Sequence, residues 1–251
     1  MDDERREQIL TLIRNEGYLS VRELSQILYI SEPTIRRNLT ILEKEGVIRR
    51  SHGGASYIEN GQNYWPLTMR NKVNLKEKEY IGKLASSLLR EGDHLFIDTG
   101  STAYCFAKAI DPAIKLTIAT NGLPVAMLLA HQSSKTVECP GGFYDARDAA
   151  FIGEETVSFI NRRHARYFFV STGTMDAENG ATGYDDKGMP AKHAFARHAD
   201  KTVLMMDHSK EERVSYYRVF DWSQIDILVT DRPPCESIRN ACGRHGVQMM
   251  Y

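Results

Sequence analysis

The sequence predicts an α/β protein in two parts. A small helical N-terminal module carries a basic β-hairpin, and a larger, mostly parallel α/β domain follows. Three observations predict this. Apolar residues recur at helical spacing between residues 4 and 42, and the pattern ends in Arg49-Arg50 and Gly53-Gly54. From Leu75 onward, short apolar runs alternate with amphipathic stretches. Between the two, residues 57 to 74 keep no period and hold one Pro and one Gly, as a linker does. The 251 residues suffice for a small module and one domain with a real core. The expected boundaries are therefore 1–56 for the module, 57–74 for the linker and 75–251 for the second domain.

The first helix is expected over residues 4 to 17, with Ile9, Leu12 and Ile13 on one face. Ser20 and Glu23 have the spacing of a capping box and open a short helix whose apolar side is Leu24, Ile27 and Leu28. A turn through Tyr29, Ile30 and Ser31 leads to a third helix. Ser31 is placed to cap it, and Pro33 falls in its first turn, where a missing N–H costs little. Ile35, Leu39 and Leu42 form its inward face, and Thr34, Arg36, Arg37 and Thr40 then point outward. Gly46 is expected to end the helix. Arg49 and Arg50 follow on a strand, with Gly53 and Gly54 allowing a tight reversal. Helix, short helix, turn, helix and basic hairpin make a winged helix-turn-helix. Its outward face carries the residue types that hold phosphates and read base edges in a major groove. The alternative is a three-helix bundle with a solvated charged face. Net charge, −1 overall, does not separate the two. The concentration of arginines at one end of the module favours DNA.

In the second domain the expected strands are HLFIDTG, LTIAT, KTVECP, RYFFVSTG, KTVLMMD, DILVTD and VQMMY. The helices between them begin with LKEKEYIGKLASSLLREG, read as running to Gly92. Short apolar strands alternating with helices imply a parallel sheet covered on both faces. Ligands bind such sheets beyond the C-terminal strand ends. Asp98-Thr99-Gly100-Ser101-Thr102 leaves the first strand and enters a helix, where N–H groups favour an anion. Asp98 would repel a phosphate, so a sugar hydroxyl is its expected partner. Asn121-Gly122, Pro140-Gly141-Gly142, Ser171-Thr172-Gly173 and Asp207-His208-Ser209-Lys210 end the next strands. Any one such loop is an ordinary turn. Five at successive strand ends predict a shared cleft for an anionic ligand.

Other classes are disfavoured. No run approaches the roughly 18 apolar residues of a membrane helix, and MDDERREQ has no signal-peptide core. Cys105, Cys139, Cys235 and Cys242 lack CxxC spacing, and the eight histidines show no metal-binding pattern. A cytoplasmic protein without metal or cofactor is expected.

SEPTIRRNLTILEKEGVIRRSHGGA closely resembles the signature of the DeoR family of bacterial transcriptional repressors, with Asn38 where the family usually has Asp. FIDTGSTA, ATNG, PGG, Phe151-Ile152-Gly153, MMDHSK and ILVTD resemble, in order, that family's effector-binding half. That half is similar to the ribose-5-phosphate isomerase and CoA-transferase fold. The resemblance implies a regulator, most simply a repressor, of a carbohydrate operon, bound to double-stranded operator DNA as a homo-oligomer and released by a phosphorylated sugar. The DNA-binding candidates are Ser31, Thr34, Arg36, Arg37, Thr40, Arg49, Arg50 and His52. The ligand-facing candidates it implies are Asp98, Gly100, Ser101, Thr102, Asn121, Gly142, Gly173, Lys192, Asp207 and Lys210. The family often has an acidic residue about four positions before that lysine, where this chain has Gly188. The competing function is a sugar-phosphate isomerase with an appended module. It would draw its base from Asp185 or Asp186, near Lys187.

Overall fold

The computed structural model describes residues 2–44, 48–51, 53–57, 67–71 and 73–251. Gly46, His52 and Trp65 lie outside the described residues. The chain divides into two compact units, Met1–Met69 and Arg70–Tyr251.

Unit one contains α1 (Asp2–Glu16), β1 (Tyr18–Ser20), α2 (Val21–Leu28), α3 (Glu32–Lys44), β2 (Ile48–Ser51) and β3 (Gly54–Tyr57). The capping box at α2 is present in both halves: Glu23 N–H donates to Ser20 Oγ and Ser20 N–H to the Glu23 carboxylate. Ile9, Ile13, Leu24, Ile35, Leu39, Leu42, Ile48 and Ala55 form one buried cluster. Each large side chain among them stabilises the unit by roughly 1.5–3 kcal/mol on burial. Ile35, Leu39 and Leu42 fix which side of α3 faces inward. The hairpin of β2 and β3 gains β1 as an antiparallel third strand. The short α4 (Leu67–Arg70) ends at the first residue of unit two.

Unit two begins with α5 (Leu75–Ser86), β4 (His94–Ile97), α6 (Ser101–Ala109), β5 (Leu116–Thr120), α7 (Leu123–Ala130) and β6 (Lys135–Glu138). A hairpin, β7 (Phe143–Asp145) and β8 (Ala150–Ile152), precedes α8 (Glu154–Asn161) and β9 (Ala165–Val170). Next come β10 (Thr174–Asp176), β11 (Gly180–Gly183), α9 (Met189–Arg197), β12 (Ala199–Met205) and β13 (Tyr217–Phe220). The chain closes with β14 (Ile227–Val229), α10 (Glu236–His245) and β15 (Gln248–Met250). Seven strands make one sheet in the order β15-β14-β12-β9-β4-β5-β6, every pairing parallel. The seven expected strands are its members. Alternate residues feed two cores. Leu95, Ile97, Phe169, Val203 and Met205 pack with α5 and α6 residues such as Ile81 and Phe106. Phe96, Phe168, Val170 and Leu204 pack on the other face with Ile160, Phe195 and Ile238. Burial on both faces is why these strands read as unbroken apolar runs.

Two expectations need correction. The first helix of unit two stops at Ser86 rather than Gly92. Ser86 and Ser87 hydroxyls bond back to the carbonyls of Lys83 and Leu84, and Gly92 turns the chain at φ +82° into β4. The sequence reading also missed the β7–β8 hairpin and the antiparallel sheet β10-β11-β13, whose strands are three or four residues long and lack a steady alternation.

The chain runs from β4 out through β5 to β6 and then returns to β9 on the other flank of β4. The C-terminal ends of β4 and β9 are thus the point where strand order reverses, the place where such sheets open a crevice. α5 and α6 close one side of it tightly. A Cβ on Gly82 would stand 2.8 Å from the backbone carbonyl of Cys105. Gly82→Ala is therefore expected to lower unfolding free energy by about 1–3 kcal/mol, although alanine is the better helix former by about 1 kcal/mol. Urea denaturation measures this, and equal or greater stability would contradict the packing.

Candidate functional site

Two sites are built, one in each unit. In unit one, α3 turns Arg36 and Arg37 outward, and Arg49 stands exposed between the buried Ile48 and the half-buried Arg50. Arg36 pairs with Glu32 one helical turn earlier, at 3.2 Å. Arg50 is held in place: Nη1 donates to Thr40 Oγ1 at 2.8 Å, and its backbone N–H to Glu43 Oε1 at 3.1 Å. Thr40 in turn donates to the Arg36 carbonyl. Ser31 and Thr34 share a hydroxyl–hydroxyl bond of 2.9 Å at the start of the helix. Asn38 faces inward and donates to the Thr34 carbonyl at 2.8 Å. Among the described residues, the side chains of Arg37 and Arg49 make no hydrogen bond or ion pair. These two exposed cations are available to an anionic partner, and Arg50 lies beside them with its fork already oriented.

The second site lies at the switch point of unit two. The register Ile97↔Thr120 places Asp98 beside Asn121, and Ile97↔Phe169 places it beside the end of β9. Asp98 is 1 % exposed and forms an ion pair with Lys192 from α9. Burial pushes its carboxyl up from the usual value, and Lys192 opposes that rise. Lys210 donates to Ser171 Oγ at 3.1 Å and to the Thr172 carbonyl at 2.9 Å, bridging the ends of β9 and β12. Asp207 accepts from Asn74 Nδ2 at 3.0 Å and from the Ser209 hydroxyl. Burial pushes the Asp207 carboxyl up, but Lys210, Ser209, Lys78 and Asn74 outweigh it and hold it low. Lys210 itself is pulled down from the ordinary lysine value by burial and by Arg70 and Lys192, against Asp207.

Among the described residues, Asp98 Oδ1, Thr102 Oγ1 and Asn121 Oδ1 on this edge are buried with no hydrogen-bond partner. A buried polar atom left unpaired costs about 1–3 kcal/mol. Three together, at a strand edge, fit a ligand with its own donors and acceptors. Gly100 takes φ +129° at the start of α6, a conformation that L side chains rarely adopt. This glycine turns the chain so that the first N–H groups of α6 open toward that edge.

The sequence-predicted ligand residues are not all gathered here. Asp98, Gly100, Ser101, Thr102, Asn121, Asp207 and Lys210 end or follow strands of the seven-stranded sheet, and Lys192 reaches Asp98 from α9. Gly142 follows the edge strand β6, and its neighbours are Glu155 and Ile152. Gly173 packs against the Tyr184 ring and the Thr182 carbonyl. The sequence reading missed Arg70, Asn74, Lys78 and Asp148. Lys78 is 4 % exposed, and its Nζ donates to the carbonyls of Arg70 at 2.7 Å and Val73 at 2.5 Å. Its signal was present: Lys78, Ile81, Gly82 and Ala85 have the i, i+3, i+4, i+7 spacing of a buried helix face. Among the described residues no group of three or more His, Cys, Asp or Glu side chains is placed to hold a metal ion.

Comparison with known proteins gives matches over both units. Residues 5–61 match the DeoR-like helix-turn-helix domain and residues 73–232 the DeoR C-terminal sensor domain. The chain is 30 % identical to the glycerol-3-phosphate regulon repressor of Escherichia coli (strain K12), over 98 % of this chain and 97 % of that one. It is 34 % identical to the protein of the same name from Haemophilus influenzae, over 92 % and 89 %. It is 26 % identical to the HTH-type transcriptional repressor GlcR of Bacillus subtilis, over 99 % and 95 %. Among solved structures, ribose 5-phosphate isomerase A from Neisseria gonorrhoeae aligns at 18 % identity and a TM-score of 0.37, over 55 % of this chain and 53 % of that one.

The buried Lys78 generates a pH prediction. Burial pulls its ammonium down from 10.5 to about 8, with Lys210 adding to the pull and Asp207 opposing it. Below pH 8 the amine is protonated in the folded and unfolded chains alike. Between pH 8 and 10.5 the unfolded chain keeps the proton and the folded chain has lost it, so stability rises with pH. Wild type is expected to gain about 3 kcal/mol relative to Lys78→Met across that window. Urea titrations at the two ends measure it, and a gap that stays flat or narrows would contradict the burial of a charged amine.

Proposed function

The chain belongs to the DeoR family, and from that premise we propose that it is a transcriptional repressor released from its operator by a phosphorylated sugar or a related metabolite. The observation that carries the ligand half is the cleft. Lys192 pairs with Asp98, whose Oδ1 is buried and unpartnered among the described residues, and Lys210 bridges the ends of β9 and β12, at the switch point of a parallel sheet in a chain whose other unit exposes arginines on a helix-turn-helix. A phosphoryl group would sit on the N–H groups of Gly100, Ser101 and Thr102, with lysines to balance its charge. Asp98 would accept a sugar hydroxyl, which gives its unpaired oxygen a partner. The likeness to the glycerol-3-phosphate regulon repressors supports a small phosphomonoester as the ligand class.

In the DNA-binding unit, Arg37 and Arg49 would meet phosphate, while Arg50, held by Thr40, would keep a fixed direction suited to a base edge or a phosphate fork. A single winged module makes few contacts, so the active species would be a homo-oligomer on repeated half-sites. The protein would act in the cytoplasm. No helix among the described residues is long and apolar enough to cross a membrane. Regulators among the relatives favour a sensor over an isomerase, and no turnover of ribose 5-phosphate is expected.

Ligand changes operator affinity only by binding the DNA-competent and incompetent states unequally. Typical coupling is about 1–3 kcal/mol, or roughly 5- to 150-fold, and operator DNA must weaken ligand binding by the same factor. Two outcomes test the reading. In gel-shift titrations over a salt series, Arg37→Ala and Arg49→Ala should each reduce the log–log salt slope by about 0.9 if each loses one phosphate contact. Unchanged affinity in both would remove the assigned face. Lys210→Ala should still bind operator but no longer release it when sugar phosphates are added. Full release by that variant at wild-type concentrations would remove the assigned cleft.

A further inference from the structure

Arg70 lies between the two family matches, which end at residue 61 and resume at residue 73. It is the last residue of α4 and the first of unit two. Its guanidinium lies beside the Gly100 loop. Nη2 forms an ion pair with Asp148, 78 positions along the chain, with the two side chains only 24 % and 12 % exposed. Nη1 lies 4.0 Å from the point where a Cβ on Gly100 would stand. The residue is braced from behind, because its carbonyl accepts from the buried Lys78 ammonium at 2.7 Å. Asp148 is braced too, its carbonyl accepting from Thr99 Oγ1 at 2.6 Å. Thr99 and Gly100 belong to the loop that enters α6, so that loop holds Asp148 through Thr99 and faces the Arg70 guanidinium at Gly100.

We propose that Arg70 is a ligand-binding residue: one nitrogen of its fork is held by Asp148 while the other meets the phosphoryl group seated over Gly100. This deepens the phosphomonoester reading above and rests on it. A guanidinium suits the place for two reasons. Its planar fork serves two anions at once in fixed directions, which an ammonium does not. Its delocalised charge is also more weakly hydrated than an ammonium's, so holding it half-buried beside Asp148 costs less. Asp148 is then a positioning residue that sets the angle of the fork. The ligand is thereby bonded to the first residue of unit two. An oxygen in the gap above Gly100 is within hydrogen-bond reach of Nη1. The glycine leaves that gap open, and any side chain there would fill it.

The test is isothermal titration of the full chain with inorganic phosphate, with glycerol 3-phosphate and with glycerol. Wild type, Arg70→Lys, Arg70→Ala, Asp148→Asn, Asp148→Ala and Lys210→Ala are compared, each first checked for a cooperative melt and operator binding. Wild type should bind both phosphate probes and ignore glycerol. Arg70→Ala should lose at least tenfold in affinity for both. Arg70→Lys should recover part of that loss, since it restores the charge without the fork, and it stands in if the alanine variant fails to fold. Asp148→Ala should weaken binding several-fold, and Asp148→Asn, which keeps an acceptor oxygen for Nη2, should restore most of it. Affinity within twofold of wild type in both Arg70 variants overturns the proposal. If Lys210→Ala has lost binding in that same series, the phosphate cleft stands without Arg70. Wild type that binds neither phosphate probe removes both readings together.

Discussion

Asp98 is a carboxylate taken out of water at the end of the central strand, and much of unit two is arranged around that fact. A buried charge is costly unless it is paired, and even a paired one stabilises less than an apolar side chain of the same size would. The Lys192 ammonium comes from α9, on the face of the sheet where Phe195 and Ala194 pack against Phe96 and Phe168. The position of α9 is therefore set by aromatic packing, including Phe96 against Phe195 at 4.9 Å between ring centres, and the ion pair inherits that placement. The pair leaves Asp98 Oδ1 without a partner. Buried ion pairs are often matched in stability by apolar packing, and an ionisable group perturbed in this way, with one oxygen left over, is the kind of feature that functional sites carry.

The same economy runs through the neighbouring groups. Lys210 spans the ends of two strands, Asp207 sits between lysines, and Lys78 is buried at the head of an otherwise apolar helix face. The parallel sheet makes this concentration possible. Every strand leaves at the same edge, so loops far apart in sequence converge there, while both faces are sealed by helices. The strand order reverses between β4 and β9, and their C-terminal ends are where such a sheet opens a crevice.

Unit one solves a different problem with fewer parts. Its core of isoleucines and leucines needs only one side of α3, which leaves the other side to carry charge. Within that side the arginines are not equivalent. Arg36 is engaged with Glu32, Arg50 is aimed by Thr40 and Glu43, and among the described residues the side chains of Arg37 and Arg49 make no hydrogen bond or ion pair. Net charge near zero over the whole chain conceals this, because what a polyanion meets is the local surface.

The sequence by itself determined the elements whose physics is local. Period-3.6 spacing located the helices, Ser20 and Glu23 announced a capping box that is present, and apolar runs of the right length gave all seven strands of the parallel sheet. It also named most of the charged groups at the strand ends, since Gly, Ser, Asp and Lys after an apolar run mark a loop whatever the rest of the chain does. It failed where the deciding interaction is distant or the element is very short. The β7–β8 hairpin and the β10-β11-β13 sheet have strands too short to show a period. The surroundings of Gly142 and Gly173 were likewise not legible: strand order puts Gly142 after the edge strand, and the Tyr184 ring packs against Gly173. Arg70 and Asp148 are ordinary surface residues in the sequence, and only the fold brings them together across 78 positions. Lys78 was legible as part of a helical stripe but not as buried. Whether a lysine at such a position turns outward or inward depends on the carbonyls waiting for it, and those carbonyls are placed by tertiary structure.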